Sequence, residues 1–214
     1  MAKSVFIAGE DPVTREILQR LIQNYCPNLV IAGTLPARGS ELKSKVQNFN
    51  ALAADIPVIV LSDLDTEDCA PLAKSKLLNG VATVAENLII NIAVDEAEAW
   101  LLADRDGFAN YFKIDITNMP TAKEQKFGGP RKRLEVDVPL KASLYLTHQL
   151  MAYSKDPKLK AQIYTNSKSK CKGSAYNTAM LPFIKSKWNV EQAAIGSYSL
   201  QTTIDRLKAL DDRS

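Results

Sequence analysis

The chain has 214 residues, of which 46% are hydrophobic and 24% charged, as is typical of a globular protein with its own core. No apolar run approaches the roughly 20 residues that span a bilayer, and the first residues lack the pattern of a secretory signal. We therefore expect a cytoplasmic protein with no membrane contact. The net charge of +3 conceals an asymmetry, because residues 1–112 carry a net of −6 and residues 113–214 a net of +9. Such asymmetry indicates a polyanionic partner, or alternatively two solvated faces of opposite sign.

Four apolar runs in the first half of the chain predict buried strands, and each is followed by helical spacing. The predicted strands cover residues 4–8, 28–35, 57–61 and 87–94, and the predicted helices cover residues 12–25, 40–54, 70–78 and 95–112. Pro12 suits the first turn of its helix and Ser40 the N-cap of the next. This alternation predicts an α/β fold with a doubly wound, mainly parallel sheet over residues 1–112.

The second half of the chain has a different residue composition and pattern. Residues 113–139 are rich in Pro and Gly and predict a loop with one short element. Helical patterns follow at residues 140–153, 157–164, 177–187 and 199–210, with a basic loop before the third. We predict that residues 113–214 form a helical, basic extension packed on the sheet.

Several classes of site are disfavoured by the residue content. His148 is the only histidine, and the three cysteines are far apart without a C-x-x-C pair. A zinc site and a Ser-His-Asp triad are therefore improbable. The chain also lacks G-x-x-x-x-G-K-[ST], the phosphate-binding loop of many ATPases.

Carboxylates follow three of the four predicted strands. They are Glu10 after the first strand, Asp63 and Asp65 after the third, and Asp95, Glu96 and Glu98 after the fourth. Ligands of parallel α/β sheets bind beyond the carboxyl ends of the strands, so these acids should meet at one edge and repel one another unless a cation lies among them. Hard oxygen ligands without imidazole favour Mg²⁺ or Mn²⁺. The alternative is that acids collect in the first turns of helices, where the dipole favours them. For Asp11, Glu67 and Asp68, each taken singly, that interpretation is the better one.

Gly9-Glu10 after the first strand and Asp63-Leu64-Asp65 after the third resemble the TOPRIM domain of topoisomerases, primases and OLD-family nucleases. The stretch "EAEAWLLAD" (96–104) is similar to one found in small bacterial TOPRIM proteins that are linked to phage defence and often encoded beside an ATPase. The chain departs from the OLD-type pattern at Thr14, where those nucleases often carry a further acid.

This resemblance implies a TOPRIM-like fold and a Mg²⁺- or Mn²⁺-dependent nuclease that acts on phosphodiesters, with an ATPase as its controlling partner. Asp63 and Asp65 would then hold the metal, and Glu10 would bind metal or move protons. Glu98 and Glu96 would be further ligands.

Two basic stretches, "KEQKFGGPRKR" (123–133) and "KSKCKG" (168–173), predict contacts with nucleic-acid phosphates. The predicted binding residues are Lys123, Lys126, Arg131, Arg133, Lys168, Lys170 and Lys172. Lys132 is our candidate for a phosphate contact within the catalytic site. A solvated basic loop is the alternative for each of these residues.

Two other functions stay open at this stage. The start of the chain also resembles a response-regulator receiver, in which Asp63 would accept a phosphoryl group. A receiver needs a hydroxyl after the fourth strand, where Asp95 stands, and a lysine after a fifth strand. A TOPRIM-like module that binds nucleic acid or a partner without cleaving is the second alternative. DNA or RNA as substrate, and the oligomeric state, are left open.

Overall fold

The structure is a computed structural model that describes residues 2–37, 41–126, 131–139, 141–166, 172–173 and 175–213. The predicted helix cap Ser40 and the predicted binding residues Lys168 and Lys170 lie outside these ranges. No helix in the described part of the chain is long and apolar enough to cross a membrane.

The first half of the chain forms a parallel four-stranded sheet. Its strands are β1 (Lys3–Gly9), β2 (Leu29–Thr34), β3 (Val58–Asp63) and β4 (Leu88–Ala93), in the spatial order β2-β1-β3-β4. Helices α1 (Pro12–Tyr25), α2 (Glu41–Leu52) and α3 (Ala70–Leu77) connect them. The α/β prediction is confirmed, and the arrangement is consistent with a TOPRIM-like, Rossmann-type fold.

Helices cover both faces of the sheet, which explains why the strands are apolar without alternation. In β3, Ile59 and Leu61 face the core that α1 shares with the C-terminal helices. Val58 and Val60, which point the other way, face the core under α2 and α3. All four side chains are fully buried, and each contributes about 1.5–3 kcal/mol relative to exposure.

The predicted helix over residues 95–112 is divided in two, α4 (Ala97–Ala103) and α5 (Arg105–Phe112). Asp104 interrupts it, because its carboxylate accepts the N–H of Gly107 at 3.1 Å and that of Asn189 at 2.7 Å. An aspartate that binds backbone N–H groups in this way begins a helix rather than continuing one.

An antiparallel hairpin of β5 (Ala122–Lys126) and β6 (Lys132–Val136) occupies the segment that the sequence predicts as a loop. Its strands are too polar to show a buried face in sequence. Glu135, only 2% exposed, anchors the hairpin by accepting the Ser197 hydroxyl at 2.7 Å and the Ser199 N–H at 2.6 Å. The hairpin is thus held by contacts from about 60 residues further along the chain, which local sequence patterns do not record.

The remaining chain is helical and packs on the sheet. Its helices are α6 (Ala142–His148), α7 (Pro157–Ile163), α8 (Tyr176–Ser186), α9 (Val190–Ile195) and α10 (Tyr198–Asp211). Helix α8 lies against α1, and α10 lies against β4. Trp100, Phe183 and Trp188 are buried in the core that these helices share with the sheet. A division of the chain at residue 112 stays a prediction.

Candidate functional site

The acids that follow β1 and β3 lie at the point where the strand order of the sheet reverses. β2 lies on one side of β1 and β3 on the other, and ligands of such sheets bind in the crevice formed there. Gly9, the last residue of β1, is in register with Leu61 of β3, so that Glu10 and Asp63 follow on adjacent strands. Glu10, Asp63 and Asp65 together line a cavity of about 250 Å³.

Glu10 is held at the floor of this cavity by β3. The Ser62 hydroxyl donates to Glu10 Oε1 at 2.7 Å, and the N–H of Asp63 approaches the same oxygen at 3.4 Å. Burial raises the pKa of the Glu10 carboxyl, and the charges of Asp65 and Asp11 raise it further, against the hydrogen bond from Ser62. A carboxyl with a raised pKa is suited to exchange protons near neutral pH.

Asp63, the last residue of β3, contacts the start of α4. Its Oδ1 accepts the N–H of Ala97, the first residue of α4, at 2.8 Å. Burial raises the pKa of Asp63 well above its ordinary range, and the nearby carboxylates of Glu98 and Glu10 raise it further. A second negative charge is therefore unfavourable here unless a cation balances it.

Asp65 and Asp95 both adopt left-handed backbone conformations, with φ of 53° and 63°. The Asp65 N–H donates to the Asp95 carbonyl at 2.9 Å, which joins the two turns that follow β3 and β4. Asp65 binds the ammonium of Lys141, while Asp95 Oδ2 accepts the N–H of Ala142 at 2.7 Å. Left-handed non-glycine residues are uncommon and cluster at functional sites.

Glu96, the N-cap residue of α4, and Glu98, in its first turn, do not line this cavity and have other partners. Glu96 accepts the N–H of Ser143 at 2.7 Å. Glu98, 2% exposed, accepts the Lys172 ammonium at 2.6 Å and the Tyr176 hydroxyl at 2.9 Å. Burial raises the pKa of Glu98 against the charge of Lys172. Burial alone would lower the pKa of Lys172, but the charges of Glu98 and Asp11 raise it.

Asp11 serves the backbone, as the helix-capping interpretation predicts. It is the N-cap of α1, and its Oδ1 accepts the N–H of Thr14 at 2.8 Å, while its own N–H donates to the Thr14 hydroxyl at 3.1 Å. This capping box accounts for the threonine where OLD-type nucleases often have an acid. It also accounts for Gly9, since a Cβ there would lie 2.6 Å from the Thr14 hydroxyl.

The predicted basic residues divide between two places. Lys172 lies in the acidic site, bound to Glu98 and, at 3.3 Å, to Asp11. The others in the described ranges lie on the β5–β6 hairpin, and they are Lys123, Lys126, Arg131, Lys132 and Arg133. Lys132 is exposed and opposite Lys126, and no hydrogen bond or ion pair within the described ranges joins its ammonium to an acid of the site.

The donor set suits a hard divalent cation, because it is made of carboxylate oxygens that repel one another. These carboxylates are not spaced as the ligands of a preformed metal centre are. In the part of the chain that the structure describes, no three or more His, Cys, Asp or Glu side chains converge as metal ligands. Asp65 instead binds Lys141, and Asp63 binds a backbone N–H. A metal at this cavity would therefore displace Lys141 from Asp65.

The sequence analysis missed three polar side chains that contact these acids, Ser62, Lys141 and Tyr176. Ser62 carried a signal, since a serine interrupts the buried run of β3 next to Asp63. Lys141 and Tyr176 carried none, because they approach the acids from residues that are 76 and 78 positions later than Asp65 and Glu98.

Comparison with known proteins places part of the chain in a family. The family model described as Domain of unknown function (DUF4276) matches residues 8–135. No curated protein sequence matches the chain. Among solved structures, the C-terminal region of the Burkholderia pseudomallei OLD protein is similar over 97% of this chain and 98% of that chain, at 13% sequence identity and a TM-score of 0.40.

Proposed function

The chain belongs to the family of the Domain of unknown function (DUF4276), and from the site described above we propose that it is a Mg²⁺- or Mn²⁺-dependent nuclease of TOPRIM-like type. The observation that carries this proposal is the cavity at the switch point of the sheet, which Glu10, Asp63 and Asp65 line together. The pKa values of Glu10 and Asp63 are raised, and acids with raised pKa values in a cleft are a common feature of catalytic sites.

We propose Asp63, Asp65 and Glu10 as the metal ligands. Glu96 and Glu98 keep the role of further ligands, although the structure engages both elsewhere, so they would contribute only after rearrangement. A bound divalent cation would polarise the phosphoryl group and favour hydroxide formation from a coordinated water. It would also let these acids approach a phosphate that they would otherwise repel.

The chain's own residues supply two further functions in this proposal. Glu10 is suited to accept a proton from the attacking water, because its pKa is raised and Ser62 holds its carboxyl in place. Lys43 also lines the cavity, and Lys141 would be released from Asp65 when the metal binds. Either ammonium could balance the charge that develops on the phosphate, a function that the sequence analysis proposed for Lys132.

The experiment is cleavage of transfer RNA, single-stranded DNA and duplex DNA in Mg²⁺ or Mn²⁺, with EDTA as the blank. We expect metal-dependent cleavage by the wild type and loss of at least 100-fold in Asp63→Asn, a substitution that keeps the oxygen that accepts the Ala97 N–H. Asp55→Asn, at an exposed aspartate between α2 and β3, is the matched control and should cleave normally.

Calorimetric titration with Mn²⁺ separates binding from chemistry. The wild type and Asp55→Asn should bind the ion, and Asp63→Asn should bind it at least tenfold more weakly.

Wild-type cleavage rates in Asp63→Asn would contradict the proposed site. If no substrate is cleaved but acetyl phosphate labels Asp63, the chain is a receiver instead. Binding of nucleic acid without cleavage or labelling would favour the non-catalytic module, and a requirement for an ATPase partner stays a prediction.

A further inference from the structure

A second concave site lies between the β5–β6 hairpin, α10, the start of α3 and the end of β4. It has a volume of about 460 Å³, within the roughly 300–1,000 Å³ that is usual for small-molecule sites. We call it the arginine cleft, and it is lined by Ala70, Pro71, Ile92, Val94, Arg131, Arg133, Glu135, Tyr198, Ser199, Thr202 and Arg206.

Two regular elements present the polar walls of the arginine cleft. Side chains two apart in a strand share a face, so β6 brings Arg133 and Glu135 to the same wall. Side chains four apart in a helix share a face, so α10 brings Tyr198, Thr202 and Arg206 to the other. The same periodicities make this a built site rather than a chance grouping of surface residues.

The arginines of the cleft are available for an anion. Glu135 is the acid in the lining, and its two oxygens are taken by the Ser197 hydroxyl and the Ser199 N–H. Within the described ranges, no ion pair joins Arg133 or Arg206 to a carboxylate. The guanidinium carbon of Arg133 lies 4.5 Å from the centre of the Tyr198 ring, a cation–π contact that orients it towards the cleft.

A further cation, Lys74 on α3, is close enough to Arg206 to be affected by its charge, although it does not line the cleft. Burial lowers the pKa of Lys74 on α3, and the charge of Arg206 lowers it further. An anionic ligand would relieve this repulsion. Guanidinium groups bind phosphate with two parallel N–H donors, so a pair of arginines suits a phosphate group.

The floor of the cleft is apolar. Ile92 and Val94, two apart at the end of β4, form it together with Pro71. Inorganic phosphate alone would leave this floor exposed, whereas the sugar and base of a nucleotide would cover it. Tyr198, 47% exposed, offers an aromatic edge beside the floor.

The cleft lies next to the acidic edge of the sheet, with one residue common to the two. Val94 lines the arginine cleft and also a neighbouring cavity of about 190 Å³ that contains Asp65 and Asp95. A strand that occupied the cleft would therefore pass beside the acids that we propose as the metal site.

We propose that the arginine cleft binds one nucleotide unit, with its phosphate on Arg133 and Arg206 and its sugar and base against Ile92 and Val94. This inference rests on the proposed nuclease function and adds a substrate-holding site to it. The nucleotide is a unit of a single-stranded substrate or a free mononucleotide, since the chemistry of recognition is the same.

The test measures binding in EDTA, where cleavage does not interfere. Fluorescence anisotropy would follow labelled dodecamers of oligothymidylate and oligouridylate at 50–200 mM salt. We expect Arg133→Ala and Arg206→Ala each to weaken binding about fivefold to tenfold, and each to reduce the slope of log K against log salt by about 0.7, the value for one phosphate contact on a single strand.

Arg213→Ala is the matched control. Arg213 lies just beyond α10, is half exposed and pairs with Glu86 at 3.2 Å, outside the cleft. It should bind both dodecamers as the wild type does. An abasic dodecamer of the same length should bind the wild type more weakly than oligothymidylate but with an unchanged salt slope, because the apolar floor would lose the bases and the arginines would keep the phosphates.

Titration with uridine and thymidine monophosphates distinguishes the two sources. If a mononucleotide binds with one-to-one stoichiometry and this binding is lost in Arg206→Ala, the ligand is a free nucleotide. If only the dodecamers depend on Arg133 and Arg206, the ligand is a substrate strand. Wild-type affinities and salt slopes in both variants, with every ligand, would overturn the proposal.

These outcomes are independent of cleavage. Loss of nuclease activity in Asp63→Asn with normal dodecamer binding would support both proposals. If binding depends on Arg133 and Arg206 but the protein cleaves nothing, the proposed nucleotide-binding cleft is supported and the proposed nuclease function is contradicted.

Discussion

Replacement of Asp95 by asparagine should stabilise the metal-free protein at neutral pH. Asp95 has a left-handed backbone, with φ of 63°, and asparagine is among the residues that tolerate that conformation best. The amide oxygen can still accept the Ala142 N–H that Asp95 Oδ2 accepts at 2.7 Å. The substitution thus removes a charge and little else.

The magnitude follows from the pKa of Asp95. Burial raises that pKa from 3.8 to about 6, and Glu96 adds to the effect, against the hydrogen bond from Ala142 and the charge of Lys141. At about 1.4 kcal/mol per pH unit the difference corresponds to about 3 kcal/mol. Asp95 is partly exposed, and solvent screening reduces this to about 1–2 kcal/mol.

The direction of the Asp95 pKa shift determines the pH range over which the stability difference develops. The folded protein holds the Asp95 proton up to about pH 6, whereas the unfolded chain releases it near pH 3.8. The folded state therefore binds more protons between these values, and stability is lost as the pH rises through them. Asp95→Asn has no such loss, so its advantage should be small at pH 4, grow to pH 6 and then remain constant.

Urea unfolding in EDTA at pH 4.5, 5.5, 6.5 and 7.5 measures this directly. A gain of about 1–2 kcal/mol at pH 7.5 would raise the Tm of a chain of this size by about 2–8 °C. Asp55→Asn, the exposed control, should show no gain that depends on pH. A variant that is less stable than the wild type, or whose gain is the same at every pH, would refute the argument.

Three further substitutions test the packing around the site, each by urea unfolding at pH 7.5. Lys172→Met should destabilise by about 2–4 kcal/mol, because it leaves a buried carboxylate unpaired, and the double variant with Glu98→Gln should recover most of the loss. Trp100→Phe should lose about 2–3 kcal/mol, since it opens a cavity and removes the buried indole hydrogen bond at 2.8 Å. Gly9→Ala should lower the free energy of unfolding by about 1–3 kcal/mol, because its Cβ would collide with the hydroxyl of Thr14. Wild-type stability in any of these three variants would contradict the contact that the variant removes or crowds.

The arrangement of the acids indicates a compromise between stability and function. Asp63, Glu10, Asp95 and Glu98 all have raised pKa values, with burial as the largest cause. Asp63, Glu10 and Asp95 would each be less unfavourable as an amide, whereas Glu98 is paired with the Lys172 ammonium. Natural proteins keep such groups where they act, since functional sites are where local stability is given up. A divalent ion that offsets the repulsion among these carboxylates should raise the Tm of the wild type more than that of Asp63→Asn.

The sequence by itself determined the α/β class and the elements that build the sheet. Four strongly apolar strands alternate with amphipathic helices, and this signal is local, because the period of burial along one element is written in that element. The position of Glu10 and Asp63 at one edge also followed from sequence, since parallel strands that end in acids bring those acids together whatever the details of packing.

The tertiary structure alone decided the partners of those acids. Lys141 and Tyr176 reach Asp65 and Glu98 across more than 70 residues of chain, and no local pattern marks them. The β5–β6 hairpin escaped prediction for the same reason, because its one deeply buried acid, Glu135, is satisfied by α10. The arginine cleft is likewise assembled from four distant segments, each of which is ordinary in isolation. Packing between distant segments is set by the whole chain, so it is the structure that shows which charges are paired and which are available.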